Sequence, residues 1–581
     1  MSASHLPGVP PPPLVTTGRP SVLARRHAIS TTHQAATEAG HRVFLAGGSA
    51  IDAGIAAGLA LNVVEPHLSN LLGVAPILLQ PAGGDPVAID GLGRWPAAWD
   101  RAEVLRRFGG DLPVGVPRMV TPGAIDAWLS CLARFGSRSL AQVAEPAIEL
   151  AEGFPVSRRL ASYLAAERAT IAAWPTTAAV FLPGGRTPEE GDVLVQSDLA
   201  SFLRRLVALE ADHSQRGRAA AILAVREDMF TGGIGHELAD FLAAAGSGLT
   251  ARDLAQARLT IEPPLRGHYR GREVLACGPW SQGVVVPLAL QLLEGIDLAG
   301  AAEADRLHVI TEALKLAFAD REGFLGDPEQ VEVPVEGLLA PSYAAQRRAL
   351  LDHRLAAPSL PPPGDPWPHQ GRQGPAGYRP EPTEGEGGPD TTFVAAMDAA
   401  GNAFAATPSD PALLGPVVPG LGATVSTRGS MLWLDADHPS VVAPGKRPRL
   451  TCNPGLVRHA GRPVLAYGCP GADAQCQAMV QVVVNLLDRG MGVQEAIEAP
   501  RIVTTSVPSS IFPHAWQPGG LAIESRVAGD VQEELAARGH RVEPLPAFAP
   551  QAAGVSAVRR LPNGVLEAGA DPRREGSALG R

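Results

Sequence analysis

Apolar positions return at helical spacing in several parts of the chain. Over residues 47–65, GGSAIDAGIAAGLALNVVE, Ile51, Ile55, Leu59 and Val63 recur every four residues on one face. Ser49 and Asp52 stand at capping-box spacing ahead of that run, and Pro66 closes it. The wealth of Gly and Ala predicts a helix pressed tightly against a sheet. Residues 119–155 carry Ala, Leu and Ile at the same spacing, and helical segments joined by loops continue to about residue 255. PLRGHYRGREVLACGP (264–279) predicts a strand or hairpin, and 280–297 a return to helix. Residues 301–320 predict a helix with Leu307, Ile310, Leu314 and Phe318 on its buried stripe.

The pattern then breaks. Residues 356–390, AAPSLPPPGDPWPHQGRQGPAGYRPEPTEGEGGPD, are rich in Pro, Gly and acid, which predicts a flexible linker. Alternation resumes at once in TTFVAAMDAAGNAFAATPS (391–409). Phe393, Ala395 and Met397, a DAAGN turn, then Phe404 and Ala406 predict a β-hairpin whose first strand opens at Thr391. Further on, RPVLAY (462–467) predicts a strand and QAMVQVVVNLLDRG a helix. Gly471 and Ala472 fall in the turn between them. Unpaired N–H groups before a helix suit an anion or a developing oxyanion, though a plain strand–helix turn has the same local sequence.

Composition narrows the classes. With 45% hydrophobic and 19% charged residues the 581-residue chain has ample material for a core. A formal charge of −10 argues against nucleic acid and anionic membranes as partners. No apolar run is long enough to cross a membrane. Residues 1–20 are Pro-rich, lack the apolar stretch of a signal peptide, and predict a disordered leader. The five cysteines are odd in number and include no C-x-x-C pair, which fits a reducing compartment. The expected location is cytoplasmic. There is no G-x-S-x-G, H-E-x-x-H or dinucleotide fingerprint, so no cofactor and no metal are expected.

Seven stretches in order carry a resemblance: GGSAIDAGIAAGLALNVVEPH (47–67), TPGAIDAW (121–128), AEPAIELAEGFPVS (144–157), FTGGIGHELA (230–239), LTARDLAQAR (249–258), LRGHYRGREVLACGPWSQG (265–283) and EALKLAFADREGFLGDP (312–328). Together they resemble the γ-glutamyltranspeptidase family over roughly residues 19–581. The resemblance implies an α/β fold, the four-layer α/β/β/α sandwich of N-terminal-nucleophile hydrolases. It also implies self-cleavage between Asp390 and Thr391, where DTTFVAAMDAAGN (390–402) matches the family's nucleophile motif. A large-subunit part (21–355), the linker (356–390) and a small-subunit part (391–581) follow, with the two cleaved fragments partnered as a heterodimer. By the same match Thr391 is the nucleophile, Ser409 its hydrogen-bonding neighbour, and Gly471 with Ala472 the oxyanion hole. An unactivated hydroxyl needs a base within reach. The amine freed at Thr391 has a pKa of about 7.7–8.0, so it is partly neutral near pH 7 and serves as that base.

The substrate positions depart from the family. Its D-G-R-E-x-x-P pattern reads DGLGRWP here (90–96), which leaves Leu92 at the arginine position and places Arg94 two residues later. Its later Gln and Asp positions fall near Arg428 and Met431, its paired serines at Leu450 and Thr451, and an expected Asn at Pro411. G-x-G-R-x-P and KRPRxTxNP resemble a subgroup containing oxamate amidohydrolase. Arg94 or Arg428 is expected to hold a substrate carboxylate, because guanidinium matches carboxylate in a fork. Thr451 and Asp473 are expected as further substrate contacts. The substrate is then a small amide, either γ-glutamyl as in glutathione metabolism or another small carboxylated amide. A non-catalytic relative acting in binding is the competing reading, and a single uncut chain would mark it.

Overall fold

The computed structural model describes residues 17–385 and 391–581. Two seven-stranded sheets form its middle. In chain order the strands are β1 (Val22–Ala24), β2 (His27–Thr31), β3 (Ile77–Gln80), β4 (Val87–Ile89), β5 (Ile261–Glu262), β6 (Leu265–Tyr269) and β7 (Arg272–Ala276). After residue 390 come β8 (Val394–Asp398), β9 (Ala403–Ala406), β10 (Gly455–His459), β11 (Arg462–Gly468), β12 (Ser556–Arg560), β13 (Leu566–Ala570) and β14 (Ser577–Gly580). One sheet has the order β1-β13-β12-β11-β10-β7-β6, the other β14-β2-β8-β9-β3-β4-β5. Both sheets interleave strands from before and after residue 390. β8 lies inside its sheet, with Val394 opposite Thr31 on one side and Ala406 on the other.

Strand alternation sorts these residues into layers. Val394, Ala396, Phe404 and Ala406 face outward into a cluster with the helices Gln34–Leu45 and Ala50–Val64. Ala395, Met397, Ala403 and Ala405 face inward against Leu456, Ala466 and Val558 of the other sheet. That sheet's outer face, with Val274, Val457 and Leu465, is covered by the helices Val285–Leu293 and Ala474–Leu487. The result is the expected α/β/β/α sandwich. The capping box at Ser49 and Asp52 is present, and the helix behind it packs very closely on the sheet. A Cβ added at Gly54 would sit 2.2 Å from the Phe404 ring, so glycine sets that approach.

Three boundaries differ from expectation. The ladder of the hairpin starts at Val394, and Thr391 makes only a single bridge, to Ser409. Residues 1–16 of the leader lie outside the described residues. Residues 17–20 are not loose: Gly18 N–H donates to Glu498 Oε2 at 2.6 Å, and Arg19 Nη1 to the Gly576 carbonyl at 2.6 Å. Residues 356–385 are irregular but seated, which corrects the expectation of a flexible linker there. Trp367 is buried and donates from Nε1 to the Pro375 carbonyl at 2.9 Å. The Tyr378 hydroxyl donates to Asp435 at 2.9 Å, and Trp516 N–H to the Thr383 carbonyl at 3.2 Å. Composition counts the Pro and acid of this stretch but not the grip of two aromatic side chains. Residues 386–390, Asp390 included, lie outside the described residues.

Candidate active site

Thr391 and Ser409 are both fully buried, at the point where the β8–β9 hairpin narrows to isolated bridges. Thr392 N–H donates to the Pro408 carbonyl at 3.0 Å, and Ser409 exchanges two backbone bonds with Val74. This frame sets the Thr391 Oγ1 to Ser409 Oγ distance at 3.0 Å. On its far side Ser409 Oγ accepts a short hydrogen bond from Arg428 Nη2. Arg428 opens a 3-10 turn (Arg428–Met431), and its Nε and Nη1 meet no acceptor among the described residues.

Asp410, next in the chain, does not fill that gap. Its carboxylate is held by the Ser426 hydroxyl at 2.5 Å and by the Thr427 N–H and hydroxyl at 2.9 and 2.8 Å. Burial pushes the Asp410 carboxyl up, and the Arg428 charge opposes that. Cys452 also reaches the Ser409 and Thr391 hydroxyls. Burial pushes its thiol up, against smaller effects of Arg428 and those two bonds, which leaves it neutral.

Gly471 and Ala472 sit in the turn after β11 with φ of +127° and +46°. Their carbonyls are in use: Gly471 O accepts from Ala474 N–H at 2.8 Å, and Ala472 O from Gln475 N–H at 3.2 Å and Gln282 Nε2 at 3.0 Å. Their N–H groups donate to no described residue, the condition an oxyanion needs. A Cβ on Gly471 would lie 2.7 Å from that of Ala553, so no side chain fits there.

Gln475, in the first turn of the helix that follows, was not singled out from sequence. With its amide nitrogen on the Cys469 and Thr451 carbonyls at 3.2 and 3.1 Å, both ends of the group are satisfied. The other end then presents its oxygen to Thr391 Oγ1 from 3.5 Å. A glutamine there has the sequence signature of a solvent-facing helix start, and only its position three residues beyond Ala472 marks it.

The expected substrate contacts divide. Arg428 and Thr451 are at the site, and the buried Thr451 hydroxyl has no partner among the described residues. Asp473 is a strut: it ion-pairs with the buried Arg321, and accepts from the Ser510 hydroxyl at 2.7 Å and the Ser510 N–H at 2.8 Å. Arg94 donates to Glu329 at 2.8 Å and to the Gly445 carbonyl at 3.2 Å, and lies 3.8 Å from Asp327. No contact joins it to Thr391, so its guanidinium is spent elsewhere. Among the described residues one buried group has metal-ligand types, His308, Glu312 and His540. There His308 Nδ1 and His540 Nε2 share a hydrogen bond of 2.9 Å, and Lys315 lies 2.6 Å from Glu312. An ammonium already fills the place of a cation.

A four-layer sandwich with a hydroxyl residue leading a central strand defines an N-terminal-nucleophile hydrolase fold. The chain belongs to the γ-glutamyltranspeptidase family, whose model matches residues 36–581. It is similar to the acylase ACY 1 proenzyme of Pseudomonas sp. (strain V22), 35% identical over 95% of this chain and 93% of the relative. It is likewise similar to an oxamate amidohydrolase proenzyme of Klebsiella pneumoniae, 29% identical over 94% of this chain and 97% of the relative. The crystal structure of cephalosporin acylase from Bacillus halodurans superposes with a TM-score of 0.84 at 28% identity, covering 100% of this chain and 99% of that one.

Proposed function

We propose that this chain is a self-cleaving amide hydrolase or acyltransferase with Thr391 as nucleophile. The observation that carries the reading is the 3.0 Å Thr391–Ser409 pair beside two uncommitted N–H groups at Gly471 and Ala472. In maturation Thr391 Oγ1 attacks the Asp390 carbonyl, the peptide C–N bond breaks, and an ester forms. Water then splits the ester, leaving an Asp390 carboxylate and a free amine on Thr391. In turnover that amine takes the hydroxyl proton as Oγ1 attacks the substrate amide. The oxyanion rests on the N–H groups of Gly471 and Ala472, and the proton passes to the leaving amine. The acyl ester goes to water or to a second amine. Ser409 and Gln475 orient Thr391 Oγ1, while Asp473 acts through Arg321 and Ser510.

Cleavage divides the chain at the boundary already drawn, into residues 1–390 and the last 191, which stay together as a heterodimer because both sheets draw on both parts. The working compartment in this reading is the cytoplasm. No helix among the described residues is long and apolar enough to cross a membrane. Intact mass of the purified protein tests the first step, and a panel of γ-glutamyl anilide, glutathione and oxamate the second. Two fragments and amide turnover are expected. A chain that stays whole and turns over at full rate, or full activity in Thr391→Val, overturns the mechanism.

A further inference from the structure

Arg428 differs from six other buried arginines. Arg321, Arg347, Arg447, Arg449, Arg501 and Arg573 each have a carboxylate within ion-pair distance. Arg428 is 1% exposed; among the described residues its side chain has one hydrogen bond, to the neutral Ser409, and two buried N–H-bearing nitrogens have no partner. The buried Asp410 acts on Arg428 only electrostatically and forms no ion pair with it, and a buried cation left without an ion pair is costly. We infer that Arg428 receives a carboxylate carried by the substrate's acyl group, and that this acyl group is short and lacks an amino group. The inference deepens the proposed use of Thr391 and rests on it.

Reach sets the length. Ser409 Oγ bonds both Arg428 and Thr391 Oγ1, so the guanidinium lies two hydrogen bonds from the attacking atom. The attacked carbon sits about 3–3.5 Å from Oγ1, and a paired carboxylate about 2.7–2.9 Å from the guanidinium. Oxalyl, malonyl and succinyl groups close that gap with the carboxylate on the carbonyl or one or two carbons away. A γ-glutamyl group puts a longer chain between them. The buried Thr451 hydroxyl, also without a partner among the described residues, offers a second donor to such a group.

Saturation of the acids sets the charge. A γ-glutamyl substrate brings an α-ammonium that needs a free carboxylate. Asp410 is filled by Ser426 and Thr427, and Asp473 by Arg321 and Ser510. Neither has a role left for an incoming cation. The reaction is the one already written: the amide C–N bond breaks, the Thr391 ester forms, the leaving amine takes the proton, and water releases the dicarboxylate.

The test is a p-nitroanilide series carrying oxalyl, malonyl, succinyl, glutaryl, γ-glutamyl and acetyl groups, assayed on mature protein, with malonate binding measured calorimetrically. Expected is a kcat/KM at least about 100-fold higher for the three short dicarboxylic acyl groups than for acetyl or γ-glutamyl. Malonate is expected to bind the wild type and to lose at least about tenfold in affinity in Arg428→Gln, with Arg428→Lys between. Equal turnover of acetyl and oxalyl groups by a cleaved enzyme, or malonate binding indifferent to Arg428→Gln, overturns the inference and leaves the nucleophile reading intact. An uncut chain inert to every member overturns the nucleophile reading instead, and malonate binding still decides the role of Arg428.

Discussion

Ser409 stands between Arg428 and Thr391, accepting from the guanidinium on one side and 3.0 Å from the threonine hydroxyl on the other. With one lone pair fixed by a cation, Ser409 Oγ also bonds the Thr391 hydroxyl. Ser409→Ala removes that neighbour and leaves the Arg428 side chain with no hydrogen bond among the described residues. A fall in kcat of about 10- to 100-fold is expected, the size of one lost charge-linked hydrogen bond, with slower fragment formation. Ser409→Thr is expected to recover most of both. Steady-state kinetics and intact mass on the three proteins check this, and wild-type kcat in the alanine variant defeats it.

Ala472 has a φ of +46°, a conformation that costs a residue with a Cβ about 1–2 kcal/mol. Ala472→Gly relieves it, with partial offset from the greater freedom of glycine in the unfolded chain. A net stabilisation of about 1 kcal/mol is expected, read as a higher midpoint in denaturant. An unchanged or lower midpoint contradicts the strain assigned to this turn.

Asp473 separates two roles cleanly. Were this side chain a substrate ligand, Asp473→Asn would raise KM at constant stability. The geometry gives the opposite forecast, since the fully buried Arg321 loses one of its two carboxylates. Removing a partner from a buried ion pair costs about 3–5 kcal/mol. Thermal unfolding of Asp473→Asn is expected well below that of the wild type; an unmoved Tm with a raised KM restores the substrate role.

Glu65 accepts from the Thr32 hydroxyl at 2.6 Å, and burial pushes its carboxyl up to about 7 from an ordinary 4.5. Between those values the folded chain holds a proton that the unfolded chain has released. Its stabilising share is therefore complete below pH 4.5 and drains away as pH climbs through 7, by about 1.4 kcal/mol per unit of pKa difference. Glu65→Gln keeps the neutral form at every pH. Relative to wild type, the variant is expected to gain stability at pH 8 that it lacks at pH 4.5. A constant difference in Tm across that range tells against a protonated Glu65.

Local pattern carried the layers well. The Ala50–Val64 helix and the strand–turn–helix around Gly471 stand where periodicity and turn residues put them, and so does the hairpin after residue 390, except that its ladder begins at Val394 and not at Thr391. What periodicity missed was burial on the polar side. The Glu303–Phe324 helix shows one apolar stripe in sequence, yet from Ala304 onward nearly its whole circumference is covered. Its charged residues find partners far along the chain, Asp320 with Arg347 and Arg321 with Asp473, and no local window contains both members. Arg94 has the same explanation: its motif spacing pointed to a ligand, while Glu329, distant in sequence, had already taken its fork. The positive φ of Ala472 belongs to the turn as a whole, and alanine gives no hint of it.

Strands far apart in the sequence share one ladder: Ala28 through Thr31 of β2 pair with Ser577 through Gly580 of β14. During synthesis β2 therefore waits for residues 577–580 to be made before its outer neighbour β14 exists. Thr391 emerges on the ribosome long before that, within a half-built sheet.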